Sequence, residues 1–179
     1  MKLHLIAAAM LCAAPLAVYA DQANDRVVDE LRIGLMDHDT TLFSDAVERG
    51  ADLTLELLFK SPSWLQWAYA PRPNIGLSLN SASGTNVLHF GSAWQVPIAA
   101  NFFAEGNLAL AFNDGEQNAG RDNKRQVGCS VGFYEAVSVG YKFLAHHQIM
   151  TTAEHASNAG ICPPNSGLTG IGLRYGYNF

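Results

Sequence analysis

The chain has 179 residues, a formal net charge of −5, 49% hydrophobic residues and only 15% charged ones. The length fits one domain. An acidic chain without a basic cluster does not suit a polyanion, so no nucleic-acid partner is expected.

Lys2 gives a short positive n-region, residues 5–18 form an apolar h-region, and Val18-Tyr19-Ala20 ends it before Asp21. This pattern predicts a secretory signal at residues 1–20, removed after Ala20, with residues 21–179 as the folded domain. After Ala20 no window approaches the roughly 20 apolar residues of a spanning helix. The classes left are a soluble secreted domain and a β-barrel. Cys129 and Cys162 survive processing. In an oxidising compartment such a pair is a candidate disulfide rather than a metal site. The sequence does not supply the Cα separation that a bond requires. No His/Cys spacing resembles a zinc site, and no metal is expected.

Eight strands are predicted in chain order. Residues 30–38 alternate Leu31, Ile33 and Leu35 against Arg32 and Gly34. Residues 52–60 set Leu53, Leu55, Leu57 and Phe59 against Asp52, Thr54 and Glu56. Residues 74–80 set Ile75, Leu77 and Leu79 against Gly76 and Ser78. Residues 86–94 set Leu88, Phe90 and Trp94 against His89 and Gly91. Residues 101–112 carry Leu108, Leu110 and Phe112 against Glu105 and Asn107. Residues 128–143 and 147–157 are the sixth and seventh. The eighth, residues 169–179, sets Ile171, Leu173, Tyr175, Tyr177 and Phe179 against Gly172, Arg174, Gly176 and Asn178.

One face of every strand is apolar, and the other is rich in Gly, Ser, Asn, Glu and Arg. A lipocalin-like soluble barrel has the same period, but it hides its apolar face. A barrel in lipid inverts this and fills a narrow lumen with small and polar side chains. The terminal Phe179, the pair Tyr141 and Phe143, and the low charge of the apolar faces favour lipid. The fold expected is all-β, an eight-stranded antiparallel transmembrane β-barrel in the bacterial outer membrane. With an even strand count both termini face the periplasm, and residues 39–50, 81–85, 113–127 and 158–168 face outward. The third of these carries Asp114, Glu116, Arg121, Asp122, Lys124 and Arg125. Residues 61–73, 95–100 and 144–146 then connect strands on the periplasmic side. Trp64, Trp67 and Tyr69 suit the water–lipid boundary.

His155 and Ser157 stand two apart on the seventh strand, so both point to one side. Their parity is that of the lipid-facing set. Polar groups facing lipid cost free energy unless they are paired or used. A hydroxyl beside a base is the minimum for nucleophilic catalysis, and an acceptor must fix the imidazole tautomer.

His155-Ala156-Ser157-Asn158-Ala159-Gly160, followed by Asn165 and Gly167 on the penultimate strand and loop, resembles the lipid A 3-O-deacylase (PagL-like) family of acyloxyacyl hydrolases. Glu30-Leu31-Arg32-Ile33-Gly34 with His38-Asp39, and Leu173-Arg174-Tyr175-Gly176-Tyr177, fit the same group. The resemblance implies removal of an ester-linked acyl chain from lipid A, with Ser157 as nucleophile, His155 as base, and oxyanion donors at Gly160 and Asn165. Asn158 lies near the site. Lipid A of the outer leaflet is the implied partner, no cofactor is needed, and the outward face leaves a homodimer open.

The family's acid, fourteen residues after the His, is here Thr169. A threonine accepts a hydrogen bond from imidazole but cannot stabilise its cation as a carboxylate does. Glu135 interrupts the outward stripe Val131, Phe133, Val137 and Val139. If Phe143 pairs with His147 across a tight turn, Glu135 falls opposite His155, roughly 5 Å away at Cβ. It is the proposed substitute acid. Arg32, Glu56, Glu105, Lys142 and Arg174 are expected to form a lumen salt-bridge network. His38-Asp39 is expected at the outer rim as a turn or headgroup contact, and His146-His147 in a solvated periplasmic turn. The alternative to a serine esterase is a catalytically inactive structural or adhesin-type barrel. A palmitoyl-transfer barrel would carry its His and Ser on loops instead.

Overall fold

Alternating side chains produce eight strands in the computed structural model, which describes residues 26–41, 45–118 and 124–179. The expected signal segment and its cleavage site lie outside the described residues, as do Arg121 and Asp122. The strands are β1 Val28–Asp37, β2 Ala51–Phe59, β3 Arg72–Asn80, β4 Val87–Ala99, β5 Phe102–Asn113, β6 Val131–Phe143, β7 His147–Ser157 and β8 Leu168–Asn178. Each pairs antiparallel with the next, and β1 pairs with β8 to close the barrel. Four longer connections gather at one end: L1 (38–50), L2 (81–86), L3 (114–130) and L4 (158–167). The short turns and the described termini lie at the other. No helix of the described residues is long and apolar enough to cross a membrane.

The apolar rows face out. Leu35, Leu53, Leu55, Leu108, Val137 and Leu173 are all exposed. The interior is polar and closed. Arg32, 1% exposed, donates from Nε to Glu30 at 2.6 Å and from its two terminal nitrogens to Glu105 at 2.6 and 2.7 Å. Its Nη1 also reaches Glu56 at 3.2 Å. Arg174 bridges Glu154 and the Tyr134 hydroxyl, and the Tyr134 ring stacks on His89 with centroids 3.9 Å apart. His89 fits because Gly76 faces it; a Cβ there would come within 2.3 Å of the imidazole. Buried charges are tolerated here because each cation meets several carboxylates.

Several expectations shift. Lys142 is not part of the lumen network. It is exposed at the short-turn end, its Nζ 5.5 Å from the centroid of the Phe103 ring. β4 continues to Ala99, so the connection expected over residues 95–100 shrinks to a tight turn. Pro97 is accommodated beside a bulge between Pro97 and Ala99, where a missing N–H costs the ladder least. β6 begins at Val131 rather than at 128, because residues 128–130 belong to L3. Residues 61–73 contain a 3-10 helix, Ser63–Ala68, held to the barrel by Trp94 Nε1 donating to the Ala68 carbonyl at 2.9 Å. His146 and His147 are not simply solvated: His147 Nδ1 lies 2.6 Å from the Tyr175 hydroxyl and His146 Nδ1 lies 2.8 Å from the Asn178 carbonyl.

His38 and Asp39 form the expected turn at the outer end of β1 but make no headgroup contact, since both are buried. His38 is clamped between Asp52 at 2.8 Å and Glu48 at 2.7 Å. Asp39 accepts from the Val47 and Glu48 N–H groups and from the Arg125 guanidinium. Glu48 also accepts from Thr85 and from the Arg125 N–H, so one carboxylate ties L1, L2 and L3 together. Burial alone would lower the His38 pKa, but the hydrogen bonds to Asp52 and Glu48 outweigh it and raise it to about 9. Burial alone would raise Glu48; hydrogen bonds from His38, Thr85 and Arg125 hold it at about 2 instead.

Candidate active site

The site grows from the pairing of three strands. β6 and β7 pair with Phe143 opposite His147 and Glu135 opposite His155. β7 and β8 pair with His155 opposite Thr169. One row across the barrel exterior therefore reads Glu135, His155, Thr169. Even-numbered neighbours Tyr134, Glu154 and Leu168 are buried, which leaves the odd-numbered set of β6 and β7 outside. A register slip of one residue would send Glu135 and His155 to the interior.

His155 is half-buried, and its orientation is specified from two sides. Its Nδ1 is hydrogen-bonded to Thr169 Oγ1 at 2.8 Å. Its opposite edge packs against Gly167: a Cβ there would come within 2.6 Å of Cε1 and 3.1 Å of Nε2. Gly167 also has φ 62°, in the left-handed region that glycine enters freely. The ladder ends at the pair Ala156–Leu168, with Ser157 and Gly167 the next residues of the two chains. The imidazole thus turns Nδ1 toward Thr169 and its Cε1–Nε2 edge toward Gly167. Among the described residues the Ser157 hydroxyl makes no hydrogen bond, to His155 or to any other group.

Glu135, Val137, Ala153, His155, Ser166 and Thr169 border a depression of about 440 Å³ on the barrel exterior. Its walls mix apolar side chains with a few convergent polar groups, as a site for an amphipathic ligand requires. Ser157 stands one row further toward the loops and does not line this depression. Glu135 is exposed and shares the depression with His155 without a hydrogen bond to it.

L4 carries the remaining residues. Gly160 is exposed at φ 78°, and its backbone N–H is unengaged among the described residues. Asn165 accepts the Asn158 N–H on its side-chain oxygen at 3.1 Å, which leaves its NH₂ as the free end. Asn158 is buried and does not face the depression. Its amide donates to the Val127 carbonyl at 2.7 Å and to the Cys162 carbonyl at 2.6 Å, so it organises the loop. Cys129 and Cys162 are bonded to each other, with Cα atoms 5.8 Å apart. Among the described residues no group of His, Cys, Asp and Glu is arranged to hold a metal ion.

Sequence reasoning missed two supports. Ser166 borders the depression, and the Thr40 N–H donates to the Thr169 carbonyl at 2.8 Å, tying L1 to the start of β8. Neither has a motif. Only the positive-φ Gly167, already within the quoted pattern, marked this side of the imidazole.

A family model described as lipid A 3-O-deacylase (PagL) matches residues 49–178. The chain belongs to this family. The matched span runs from just before β2 to the end of β8 and so contains the whole row Glu135, His155, Thr169 together with Ser157 and L4. A solved structure described as the crystal structure of the outer membrane enzyme PagL is similar, with a TM-score of 0.63 at 22% identity over 83% of this chain and 99% of that one. At that identity the likeness speaks for the barrel fold. No curated protein matches the chain. Against the family's expected pattern, the residue bonded to the imidazole is the threonine at 169.

Proposed function

We propose that this protein is an outer-membrane serine esterase that removes an ester-linked acyl chain from lipid A, working sideways from the bilayer. The observation that carries the proposal is the outward-facing His155, with Nδ1 held by Thr169, its Cε1–Nε2 edge against Gly167, and Ser157 two residues on along the same face of β7. Family membership supplies the substrate class.

The chemistry follows from these positions. Nδ1–H donates to Thr169 Oγ1, which fixes the tautomer and leaves Nε2 as base. On substrate binding Ser157 Oγ attacks the acyl carbonyl as its proton passes to Nε2. The oxyanion accepts from the Gly160 N–H and the Asn165 NH₂, groups placed before charge develops. Collapse breaks the C–O bond to the sugar, and the Nε2 proton goes to the leaving oxygen. Water then repeats the sequence on the acyl-enzyme, releasing the fatty acid. Thr169 cannot carry negative charge, so Glu135, directly across β6, is the group that stabilises the imidazolium. His155 and Ser157 act at the depth where acyl chains meet the sugar. No cofactor enters this scheme.

The absence of an acid at 169 favours one other reading, a catalytically silent barrel. Mass spectrometry of lipid A after incubation with purified barrel separates the two. Loss of one hydroxyacyl mass by the wild type, absent with Ser157→Ala, is expected. Unchanged lipid A with folded wild-type barrel would refute the esterase.

A further inference from the structure

L4 must present Gly160 and Asn165 to one oxyanion, yet the β7–β8 ladder stops at Ala156–Leu168 and cannot hold it. L4 is folded by contacts of its own around Asn158 and is held in place by contacts from L3. Asn158 reaches the Val127 carbonyl, and the Ser166 N–H donates to the Gln126 carbonyl at 2.9 Å. Gly128 makes the approach possible: a Cβ there would come within 1.9 Å of the Cys162 carbonyl oxygen and 2.2 Å of that of Pro164. The Cys129–Cys162 bond pins L4 between its two donors. L3 is itself anchored, through Asn113 Nδ2 donating to the Cys129 carbonyl at 3.1 Å and through Arg125 on Asp39. Both cysteines are half-exposed and so within reach of a small thiol.

We infer that the Cys129–Cys162 disulfide is a positioning element for the oxyanion donors of the Ser157 site, so that a thiol reductant reversibly switches ester hydrolysis off. The kinetic part rests on the esterase proposal. Closing a loop across a sequence separation of 33 removes many alternative conformations of L4. Donors placed before reaction stabilise the transition state, whereas donors that must first be ordered do so less. The depression proposed for the acyl chain is formed by β6, β7 and β8 and meets L4 only at Ser166. The bond therefore governs kcat more than KM.

Dithiothreitol tests this on the full barrel in detergent. Its thiolate attacks one sulfur of the bond, its second thiol closes the cyclic disulfide, and Cys129 and Cys162 are released as two thiols. Reduction should lower kcat about ten- to a hundredfold, the range of a displaced catalytic group or lost donor. KM should stay within about twofold, since all of the acyl-binding face except Ser166 lies on the strands. Reoxidation should restore kcat. Cys129→Ser with Cys162→Ser should start low and ignore the reductant. Hydrogen exchange gives a readout independent of activity. On reduction the Ile161, Cys162 and Ser166 amides should exchange faster, with β7 and β8 unchanged. A barrel with both thiols titrated that keeps its kcat and its L4 protection overturns the inference. Should oxidised wild type show no Ser157-dependent hydrolysis, the esterase proposal has failed by itself. Faster exchange then supports the loop tie, and unchanged exchange overturns it.

Discussion

Glu135→Gln is the sharpest test of how this site works without an acid at 169. The substitution keeps shape and removes charge, opposite His155 in the β6–β7 register. Two unit charges roughly 5 Å apart interact by about 3 kcal/mol at an effective dielectric of about 20. Glu135 is exposed, and screening brings this toward about 1–2 kcal/mol. That corresponds to a fall in kcat of about five- to thirtyfold. Thr169→Val removes one neutral hydrogen bond, worth about 1 kcal/mol, or about fivefold. Steady-state ester hydrolysis by the two single variants and the double variant reads both contributions. A Glu135→Gln barrel with kcat within about twofold of wild type would refute the charge assignment.

Four further outcomes are expected. Gly167→Ala sets a methyl against Cε1 of His155 at a residue with φ 62°, and kcat should drop at least about tenfold while heat-modifiable gel mobility is kept. Arg32→Met removes the cation shared by Glu30, Glu56 and Glu105 but leaves Arg72 on Glu30 and Glu105 and Arg174 on Glu56, and urea unfolding should show a loss of about 3 kcal/mol, the lower end for a broken buried pair. The His38 latch should follow pH: its folded pKa of about 9 exceeds the ordinary 6.5, so its stabilisation is full below 6.5 and lost as pH rises through 9. Glu48 runs the other way, its stabilisation full above 4.5 and lost as pH falls toward 2. Amides of residues 47 and 48, corrected for intrinsic exchange, should be best protected near pH 5.5 and loosen at pH 10; equal protection would contradict the clamp. All three tryptophans, Trp64, Trp67 and Trp94, sit at the short-turn end, so brominated lipids should quench fluorescence most when the bromine lies near the headgroups. Quenching strongest at the bilayer centre would contradict a boundary position.

The strands were legible because a period of two survives in every one of them, and the inverted placement of apolar side chains pointed to lipid. The register of β6 on β7 could be counted from a three-residue turn, since a closed ladder leaves few alternatives. Boundaries were less legible where local chemistry misled: Pro97 reads as a breaker, but a bulge absorbs it. His38 and Asp39 read as a rim turn and form one, but their burial was not legible: Glu48 and Arg125, which meet them, and Thr85, which meets Glu48, lie in three different loops, and no local pattern links them.

By itself the sequence determined the barrel and the side of it on which His155 and Ser157 stand, consequences of parity and spacing along single strands, while the family resemblance implied that 169 is where an acid would stand. Only the tertiary structure decided that Thr169 meets the Nδ1 edge of the imidazole and Gly167 the other, and that L3 holds L4 through Asn158 and a disulfide. Those contacts join residues distant in the chain, and their distances are set by closure of the barrel and packing of its loops, which a one-dimensional pattern does not encode.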